Sequence, residues 1–318
     1  MRVLLIYNPK AGNGVDDAVG KLVEMIRAAG HDASWRSSKD RRLRSAFVEP
    51  FDVIAVAGGD GTVAKVARLL RGRDAAIAPL PLGTANNIAT ALGVADSEPE
   101  EHIRGWSKAR RVAFDLGLAR GPWGSRVFLE SFGVGLMPAL MDEPRVPPRG
   151  SASADVRFTH AVAHARRTAR RAAAIEIEAW LDGHEISGRY VLFEAMNIGL
   201  AGPNLELAPG ADPADGQFDV VLVPESERSL LAEGLRPRGW AGPHALPSLR
   251  GRRLRLRRGD FRVHLDDEVE DAEGEPGGRA IEVVFSGSVD FLLPRERASG
   301  ARAHTPGRGA ARRRSSAR

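Results

Sequence analysis

The stretch VIAVAGGDGTVAK, residues 53–65, decides the fold of the first half of the chain. Residues 53–57 are aliphatic and predict a buried strand, and residues 62–72 follow as an amphipathic helix. Between them lie Gly58, Gly59, Asp60 and Gly61, a turn without bulky side chains. Backbone amides exposed by such a turn, together with the amino end of the next helix, bind phosphate oxygens. The stretch therefore predicts a phosphate-binding loop, with a helix-capping role for Asp60 as the simpler alternative.

The flanking sequence repeats this strand–turn–helix pattern. Predicted strands at residues 3–7, 31–38, 52–57 and 76–83 alternate with helices at 15–30, 39–50, 62–72 and 85–94. Such alternation is typical of a parallel sheet covered by helices, in which ligands bind beyond the carboxyl ends of the strands. Polar, glycine-bearing loops occupy three such ends, at 8–14, 58–62 and 81–87. Together they predict a site for a nucleoside triphosphate.

The pattern changes in the second half. Short alternating segments at residues 126–136, 175–183, 189–199, 218–224, 252–258, 261–268 and 280–287 predict antiparallel strands. A basic helix is predicted at 156–174, after a loop at 141–155 that is rich in Pro, Gly and Ser. We therefore expect a nucleotide-binding domain at 1–122, a β-rich domain at 123–297 and a tail at 298–318.

Charge and composition limit the possible environment of the chain. The tail holds six of the arginines and no acid, so removing it from the net charge of +5 leaves −1 for the rest. Its composition predicts a disordered segment, with attraction to an anionic membrane surface as the sharper alternative. The chain has no cysteine, which excludes disulfides and thiolate metal sites. Because no apolar run is long enough to span a bilayer, we expect a cytoplasmic protein.

Three motifs together carry a resemblance to a known family. NPKAG (8–12), GGDGT (58–62) and PLGTANNIA (81–89) are similar to those of the diacylglycerol kinase catalytic family of lipid kinases, which includes bacterial diacylglycerol and sphingosine kinases. Residues 197–223 and 261–268 resemble the family's second domain. The resemblance implies an α/β nucleotide-binding domain with a parallel sheet, shared with NAD kinases, and a C-terminal antiparallel β-sandwich domain.

The resemblance also implies a function and partners. ATP and Mg²⁺ are the expected cofactors, and the γ-phosphoryl group would pass to a lipid hydroxyl, with a diacylglycerol-like acceptor favoured. The alternatives are an NAD kinase-like enzyme and a non-catalytic lipid- or nucleotide-binding homologue. The expected partner is a lipid at the membrane surface, which would place the chain peripherally on the inner face. A homodimer is possible in this family, and no nucleic acid is expected.

Site residues follow from matching this sequence to the family's motifs. The catalytic residues implied are Asp266 as the base, Glu268 beside it near the nucleotide, and Asp60. Glu273 is the alternative base. The nucleotide-binding residues implied are Asn8, Pro9, Lys10, Ala11, Gly12, Ser38, Gly58, Gly59, Asp60, Gly61, Thr62, Gly83, Thr84 and Asn86.

Metal sites are implied at two places. Asp212 and Asp215 resemble a structural magnesium site with the Gln217 carbonyl as third ligand, and an Asx-turn is the alternative for these two acids. Asp115 resembles a residue that joins Asp60 in a network of water and magnesium.

The sequence departs from the family pattern in two motifs. Ala64 and Lys65 stand where the family usually has Asn-Glu, and Asp267 stands where it has glycine between the two acids.

Overall fold

The computed structural model describes residues 1–10, 18–143, 154–236, 239–242, 245–257, 259–273 and 280–294. Within these ranges the chain forms an N-terminal α/β domain with a mostly parallel sheet and a C-terminal domain of antiparallel sheets. Both parts of the predicted fold class are confirmed. The predicted tail at 298–318 lies outside the described residues.

The first domain is built from alternating strands and helices. Its parallel strands lie in the order β2–β1–β3–β4, as the repeated βα pattern predicts. The elements are β1 (Arg2–Tyr7), α1 (Ala18–Ala28), β2 (Asp32–Ser37), α2 (Leu43–Ala46), β3 (Val53–Gly58), α3 (Asp60–Leu70), β4 (Ala76–Pro81), α4 (Asn87–Ala91) and α5 (Pro99–Gly105), followed by a 3₁₀ turn, Trp106–Lys108.

The second domain is mostly antiparallel, and its described residues include three helices. Its strands are β5 (Arg110–Gly121), β6 (Gly124–Phe128), β7 (Ser131–Gly135), β8 (Ile175–Ile177), β9 (Ala179–Leu181), β10 (His184–Glu185), β11 (Gly188–Met196), β12 (Leu200–Ala201), β13 (Leu205–Glu206), β14 (Phe218–Pro224), β15 (Leu235–Arg236), β16 (Gly239–Trp240), β17 (Ser248–Gly251), β18 (Arg253–Leu256), β19 (Arg262–Leu265), β20 (Glu268–Asp271) and β21 (Ile281–Leu293). The helices are α6 (Leu136–Asp142), α7 (Ala154–Arg171) and α8 (Arg228–Gly234), with a 3₁₀ turn at Glu225–Glu227.

Two long strands join the domains. β21 pairs with β5 along most of its length and meets β4 in parallel at Phe291 and Ile77. The sequence predicts only residues 280–287 as a strand here, yet the strand continues to Leu293. The first sheet therefore takes strands from both ends of the chain, which fixes the second domain against the first.

Apolar residues cover both faces of each main sheet. Alternate residues of β1 and β3 pack on opposite faces, with Leu4 and Ile6 toward α3 and α4, and Val3 and Leu5 toward α1 and α5. In the second domain a phenylalanine-rich core fills the space between the two sheets, and helices α6 to α8 cover the far face. No helix among the described residues is both long and apolar enough to cross a membrane.

Candidate functional site

An open cavity of about 540 Å³ lies at the carboxyl ends of the parallel strands. This is the place at which sheets of this type bind ligands. The cavity is lined by Asn8, Lys10, Ser38, Lys39, Gly59, Asp60, Gly61, Thr62, Lys65, Leu82, Gly83, Thr84, Arg157 and Asp267. The structure thus brings together loops that follow β1, β2, β3 and β4.

Glycines let two of these loops touch through their backbones. A Cβ added to Gly83 would lie 2.5 Å from the Cα of Gly59, and a Cβ on Gly58 would lie 2.8 Å from the side chain of Thr62. At contacts below 3.0 Å the neighbouring atoms would have to shift. Gly83 is therefore required by the packing of one loop on the other, and Gly58 by the side chain of Thr62 in its own loop.

Side-chain amides fix the same loops. Asn8 donates from Nδ2 to Oγ1 of Thr62 at 3.1 Å. Asn86 accepts a hydrogen bond from the Gly83 amide at 2.9 Å and donates to the Gly83 carbonyl at 3.0 Å, with φ of 52° at Asn86. Asn86 thus shapes the loop from outside the cavity lining, and the predicted residues Pro9 and Gly58 also lie outside that lining. The predicted residues Ala11 and Gly12 lie outside the described residues.

The cavity lining carries more positive than negative charge. Its basic residues are Lys10, Lys39, Lys65 and Arg157, and its acids are Asp60 and Asp267. Lys65 donates from Nζ to the carbonyl oxygen of Ser38 at 2.6 Å, which anchors the lysine beside β2. A cavity of this charge with backbone amides at its base suits a polyanion such as a triphosphate.

Asp60 is the acid at the tip of the glycine loop. Its Oδ1 accepts a hydrogen bond from the amide of Ile88 at 2.9 Å, so it ties the start of α3 to α4. Burial raises the pKa of Asp60, and backbone hydrogen bonds from Ile88 and its neighbours oppose that rise. Asp60 therefore both holds two loops together and presents a carboxylate to the cavity.

Glu130 is a buried acid that sequence reasoning missed. It precedes β7, and its Oε2 accepts a hydrogen bond from Nδ2 of Asn87 at 2.7 Å. Burial, followed by the charges of Asp60 and Asp266, raises its pKa well above the ordinary value. A single acid among apolar residues, as in FLESF (128–132), was the signal that could have found it.

The acidic turn, residues 266–268, lies where β19 is joined to β20. Its first two acids have different surroundings. Asp266 is buried, with φ of 52°, and its Oδ1 accepts hydrogen bonds from the amides of Leu129 at 2.9 Å and Glu130 at 2.8 Å. Burial raises the pKa of Asp266 to about 6, against the opposing charge of Arg68. Asp267 instead borders the cavity.

Arg68 of α3 connects this turn to the first domain. Its NH2 lies 3.0 Å from Oδ2 of Asp266, its NH1 lies 3.1 Å from Oε1 of Glu268, and its Nε donates to the Val127 carbonyl. Glu268 is half exposed and lies outside the cavity lining. Glu273, the alternative base, is exposed beyond the end of β20 and also lies outside that lining.

A buried ion pair supports the turn from below. His264 Nε2 lies 2.6 Å from Oε1 of Glu194, and His264 Nδ1 lies 3.0 Å from the carbonyl oxygen of Asp266. The two side chains are 1% and 0% exposed. Burial alone would lower the pKa of His264, but the Glu194 carboxylate outweighs it and raises that pKa. A protonated His264 can donate from both nitrogens, which fixes the backbone of Asp266.

The second acidic segment predicted as a metal site is the loop at 212–217. Asp212 accepts a hydrogen bond from the amide of Ala214, and Asp215 accepts one from the amide of Gln217, both at 2.9 Å. These are the Asx-turns that the sequence allows as the alternative. Asp115 joins this loop through a hydrogen bond from the amide of Gly216. Burial, and then the charges of Asp215 and Asp212, raise the pKa of Asp115.

An arginine supplies the positive charge at this loop. Arg250 hydrogen-bonds Oδ2 of Asp215, and its Nε lies 3.9 Å from Oδ2 of Asp219. In the described part of the chain, no three His, Cys, Asp or Glu side chains are arranged to hold a metal ion. Of the two alternatives for this loop, the hydrogen bonds of Asp212 and Asp215 favour the Asx-turns, and the magnesium site of Asp212, Asp215 and the Gln217 carbonyl stays a prediction.

Comparisons with known proteins agree with this architecture. The diacylglycerol kinase catalytic domain matches residues 2–119. The diacylglycerol kinase of Bacillus subtilis (strain 168) is 27% identical over 247 residues, covering 74% of this chain and 77% of that protein. The "Probable lipid kinase YegS-like" of Xanthomonas axonopodis pv. citri (strain 306) is 30% identical over 247 residues, covering 72% and 75%.

A solved structure shares the fold. The crystal structure of a diacylglycerol kinase from Bacillus anthracis str. Sterne superposes with a TM-score of 0.65 at 19% identity, covering 92% of this chain and 96% of that one. The match covers both domains, so the fold is shared over nearly the whole of both chains.

Proposed function

The chain belongs to the diacylglycerol kinase catalytic family of lipid kinases, and on that premise we propose that it transfers the γ-phosphoryl group of ATP to the hydroxyl of a diacylglycerol-like lipid. The observation that supports this most is the cavity at the strand ends, which combines glycine loops, four basic side chains and Asp60. A triphosphate needs such surroundings because transfer depends mainly on positioning and charge stabilisation.

The lining residues have separable roles in this proposal. The amides at Gly59, Gly61 and Gly83, with the amino end of α3, would hold phosphate oxygens. Lys65 and Arg157 would neutralise the transferred group. The residues Asn8 and Asn86 keep the loops in place through the hydrogen bonds described above.

Mg²⁺ is part of the proposal through Asp60. A carboxylate oxygen that lines a phosphate cavity is the donor type that this cation prefers, so Asp60 fits it. When bound, Mg²⁺ would neutralise charge on the phosphates. The loop at 212–217 is a separate segment that does not line this cavity, and its two acids accept hydrogen bonds from their own backbone amides.

The lipid hydroxyl must lose its proton as its oxygen attacks phosphorus, and a carboxylate within hydrogen-bonding distance can accept that proton. The turn between β19 and β20 brings one acid of the second domain, Asp267, to the cavity. The two-residue turn at 266–267 is therefore the place where the lipid hydroxyl and the γ-phosphate would meet.

The lipid partner requires contact with a membrane, and α7 offers a basic surface for it. Arg167, Arg170 and Arg171 are exposed on this helix. Basic residues near an anionic bilayer contribute roughly 1 kcal/mol each. We propose that α7 orients the chain on the membrane with the acceptor domain toward the lipid.

A panel assay tests the proposed function. Purified chain is incubated with Mg²⁺ and ATP labelled at the γ-phosphate, and with diacylglycerol, sphingosine, ceramide or NAD in parallel. Label in a lipid product supports the proposal and identifies the acceptor. Label in NADP only would establish the NAD kinase alternative, and ATP binding without any labelled product would establish a non-catalytic homologue.

A further inference from the structure

The carboxylate assigned by family resemblance as the base is fully engaged in the structure. Asp266 has a side chain that is 1% exposed. One oxygen accepts hydrogen bonds from two backbone amides, of Leu129 and Glu130, and the other is paired with Arg68. A carboxylate that is to accept a proton from a substrate must offer it a lone pair. Asp266 could do so only after these contacts break, and each involves a charged group and is therefore stronger than an ordinary hydrogen bond.

The next residue has the opposite environment. Asp267 borders the cavity together with Gly59, Asp60 and Gly61. A Cβ added to Gly61 would lie 2.7 Å from Oδ2 of Asp267, so this carboxylate lies directly over the first turn of α3. The amino end of that helix is where phosphate oxygens are expected. Asp267 also lies on a turn of the acceptor domain, between the paired residues Leu265 and Glu268.

Two departures from the family pattern meet in this cavity. The family has glycine at the position of Asp267 and glutamate at that of Lys65. In this chain both residues line the cavity. Asp267 places a carboxylate of the second domain in the cavity, and Lys65 adds a positive charge that suits phosphate.

We propose that Asp267 is the catalytic carboxylate of this chain and that Asp266 is a positioning residue that holds the turn. The inference rests on the proposed lipid kinase function. In the step, the O–H bond of the lipid breaks and its proton passes to an Oδ of Asp267. The lipid oxygen forms a bond to the γ-phosphorus, and the bond from that phosphorus to the bridging oxygen breaks, so that ADP leaves with the electron pair.

Asp266 then accounts for the stability of the turn. Its hydrogen bonds hold residues 129 and 130, and Arg68 ties it to α3. The carbonyl oxygen of Asp266 is in turn held by His264. These contacts fix the backbone from which Asp267 projects, which is what a catalytic group needs for a defined position.

Substitutions at the two positions separate these roles, with Asp267→Gly as the sharpest because it restores the family residue. Turnover, the KM for ATP and the melting temperature are measured for the wild type and for Asp267→Gly, Asp267→Asn, Asp267→Glu and Asp266→Asn. Loss of a general base lowers turnover by about 10²–10⁴-fold. We expect that loss in Asp267→Gly and Asp267→Asn, with KM for ATP within about threefold and melting unchanged. Asp267→Glu should keep part of the activity, and formate should restore turnover to Asp267→Gly.

The other variants complete the test. Asp266→Asn should lower the melting temperature and keep turnover within about tenfold of the wild type, measured well below its melting point. Glu273→Gln is the matched control and should be silent. Full activity of Asp267→Gly, or loss of turnover only in Asp266→Asn or Glu273→Gln, would overturn the inference. If the wild type itself labels no lipid, it is the proposed function that fails, which the panel assay shows before any variant is made.

Discussion

The acidic turn at 266–268 and the acidic loop at 212–217 look alike in sequence, but the structure gives them different surroundings. In the loop, Asp212 and Asp215 accept hydrogen bonds from amides two residues ahead, and the exposed Arg250 supplies the positive charge. In the turn, Asp266 is held by distant backbone amides, and Asp267 faces a cavity lined by basic residues.

The difference teaches what makes an acidic cluster chemically useful. Acids whose oxygens accept hydrogen bonds from their own loop stabilise that loop. An acid can take part in chemistry when neighbouring groups hold its backbone while its carboxylate stays open to a cavity. In the turn, the buried His264–Glu194 pair and Asp266 do the holding, and Asp267 remains available.

The largest expected effect comes from removing the support beneath the turn. Glu194→Leu leaves His264 buried without its carboxylate, and breaking one partner of a buried pair costs about 3–5 kcal/mol in the free energy of unfolding. Because the pKa of His264 is raised in the folded state, the pair's contribution is fully present below the unfolded pKa of about 6.5 and is lost as pH rises through the folded value.

Urea titrations at several pH values between 5 and 9 measure this effect. The wild type should lose stability toward high pH more steeply than Glu194→Leu does. Glu194→Gln, which keeps the shape and the acceptor atom, should lie between them. Equal stabilities of all three proteins would mean that the pair does not support the turn.

The next effect concerns turnover at the cavity. Asp60→Asn keeps an oxygen that can accept the Ile88 amide but removes the charge. Loss of a preorganised electrostatic contact costs about 10²–10³-fold in turnover, and we expect that loss with a melting temperature close to the wild type. Asp215→Asn is the matched variant in the loop, and it should leave turnover unchanged. Loss of turnover in Asp215→Asn but not in Asp60→Asn would contradict this prediction, because it would place the chemistry at the loop and not at the cavity.

A smaller effect is expected on the basic face of α7. Arg170→Gln should weaken binding to vesicles that contain anionic lipid by about 1 kcal/mol, or roughly fivefold. The loss should shrink as salt rises, because exposed charges are screened over a Debye length of about 10 Å at 0.1 M. Vesicle sedimentation measures it, with neutral vesicles as the control. Equal binding of both proteins to anionic vesicles would remove this face from the membrane contact.

The smallest effect is expected at the loop. Arg250→Gln removes a pair whose arginine is about half exposed, and such pairs are worth about 0.2–1 kcal/mol. Thermal melting with and without EDTA should show this small decrease and no dependence on the chelator, in the wild type as well. A melting temperature that falls with EDTA in the wild type but not in Asp212→Ala would restore the metal site at this loop.

Much of the architecture could be predicted from the sequence, because the spacing of apolar residues and the residue types in turns depend on neighbouring residues only. The run at residues 53–57 and the glycines after it predict β3 and the loop, and the structure shows both. The length of β21 was not predicted, since the pairing partners that extend it to Leu293 lie far away in sequence.

The candidate site shows the same limit. The motif residues Asn8, Asp60 and Thr84 line the cavity as the motifs indicate, whereas Arg157 comes from a helix of the other domain and carries no local signal. The environments of Asp266 and Asp267 could not be read from the sequence either. They depend on Arg68 and on the amides of residues 129 and 130, which only the folded chain brings to the turn.

Phosphorus NMR of the wild-type chain with ATP, Mg²⁺ and diacylglycerol in mixed micelles tests the central claim most directly. The account predicts that the γ-phosphate signal of ATP is replaced by a phosphomonoester signal that extracts into organic solvent, in equal amount to the ADP formed. Conversion of the γ-phosphate to inorganic phosphate alone, or its appearance in a water-soluble product when NAD is added, would contradict phosphoryl transfer to lipid at this cavity.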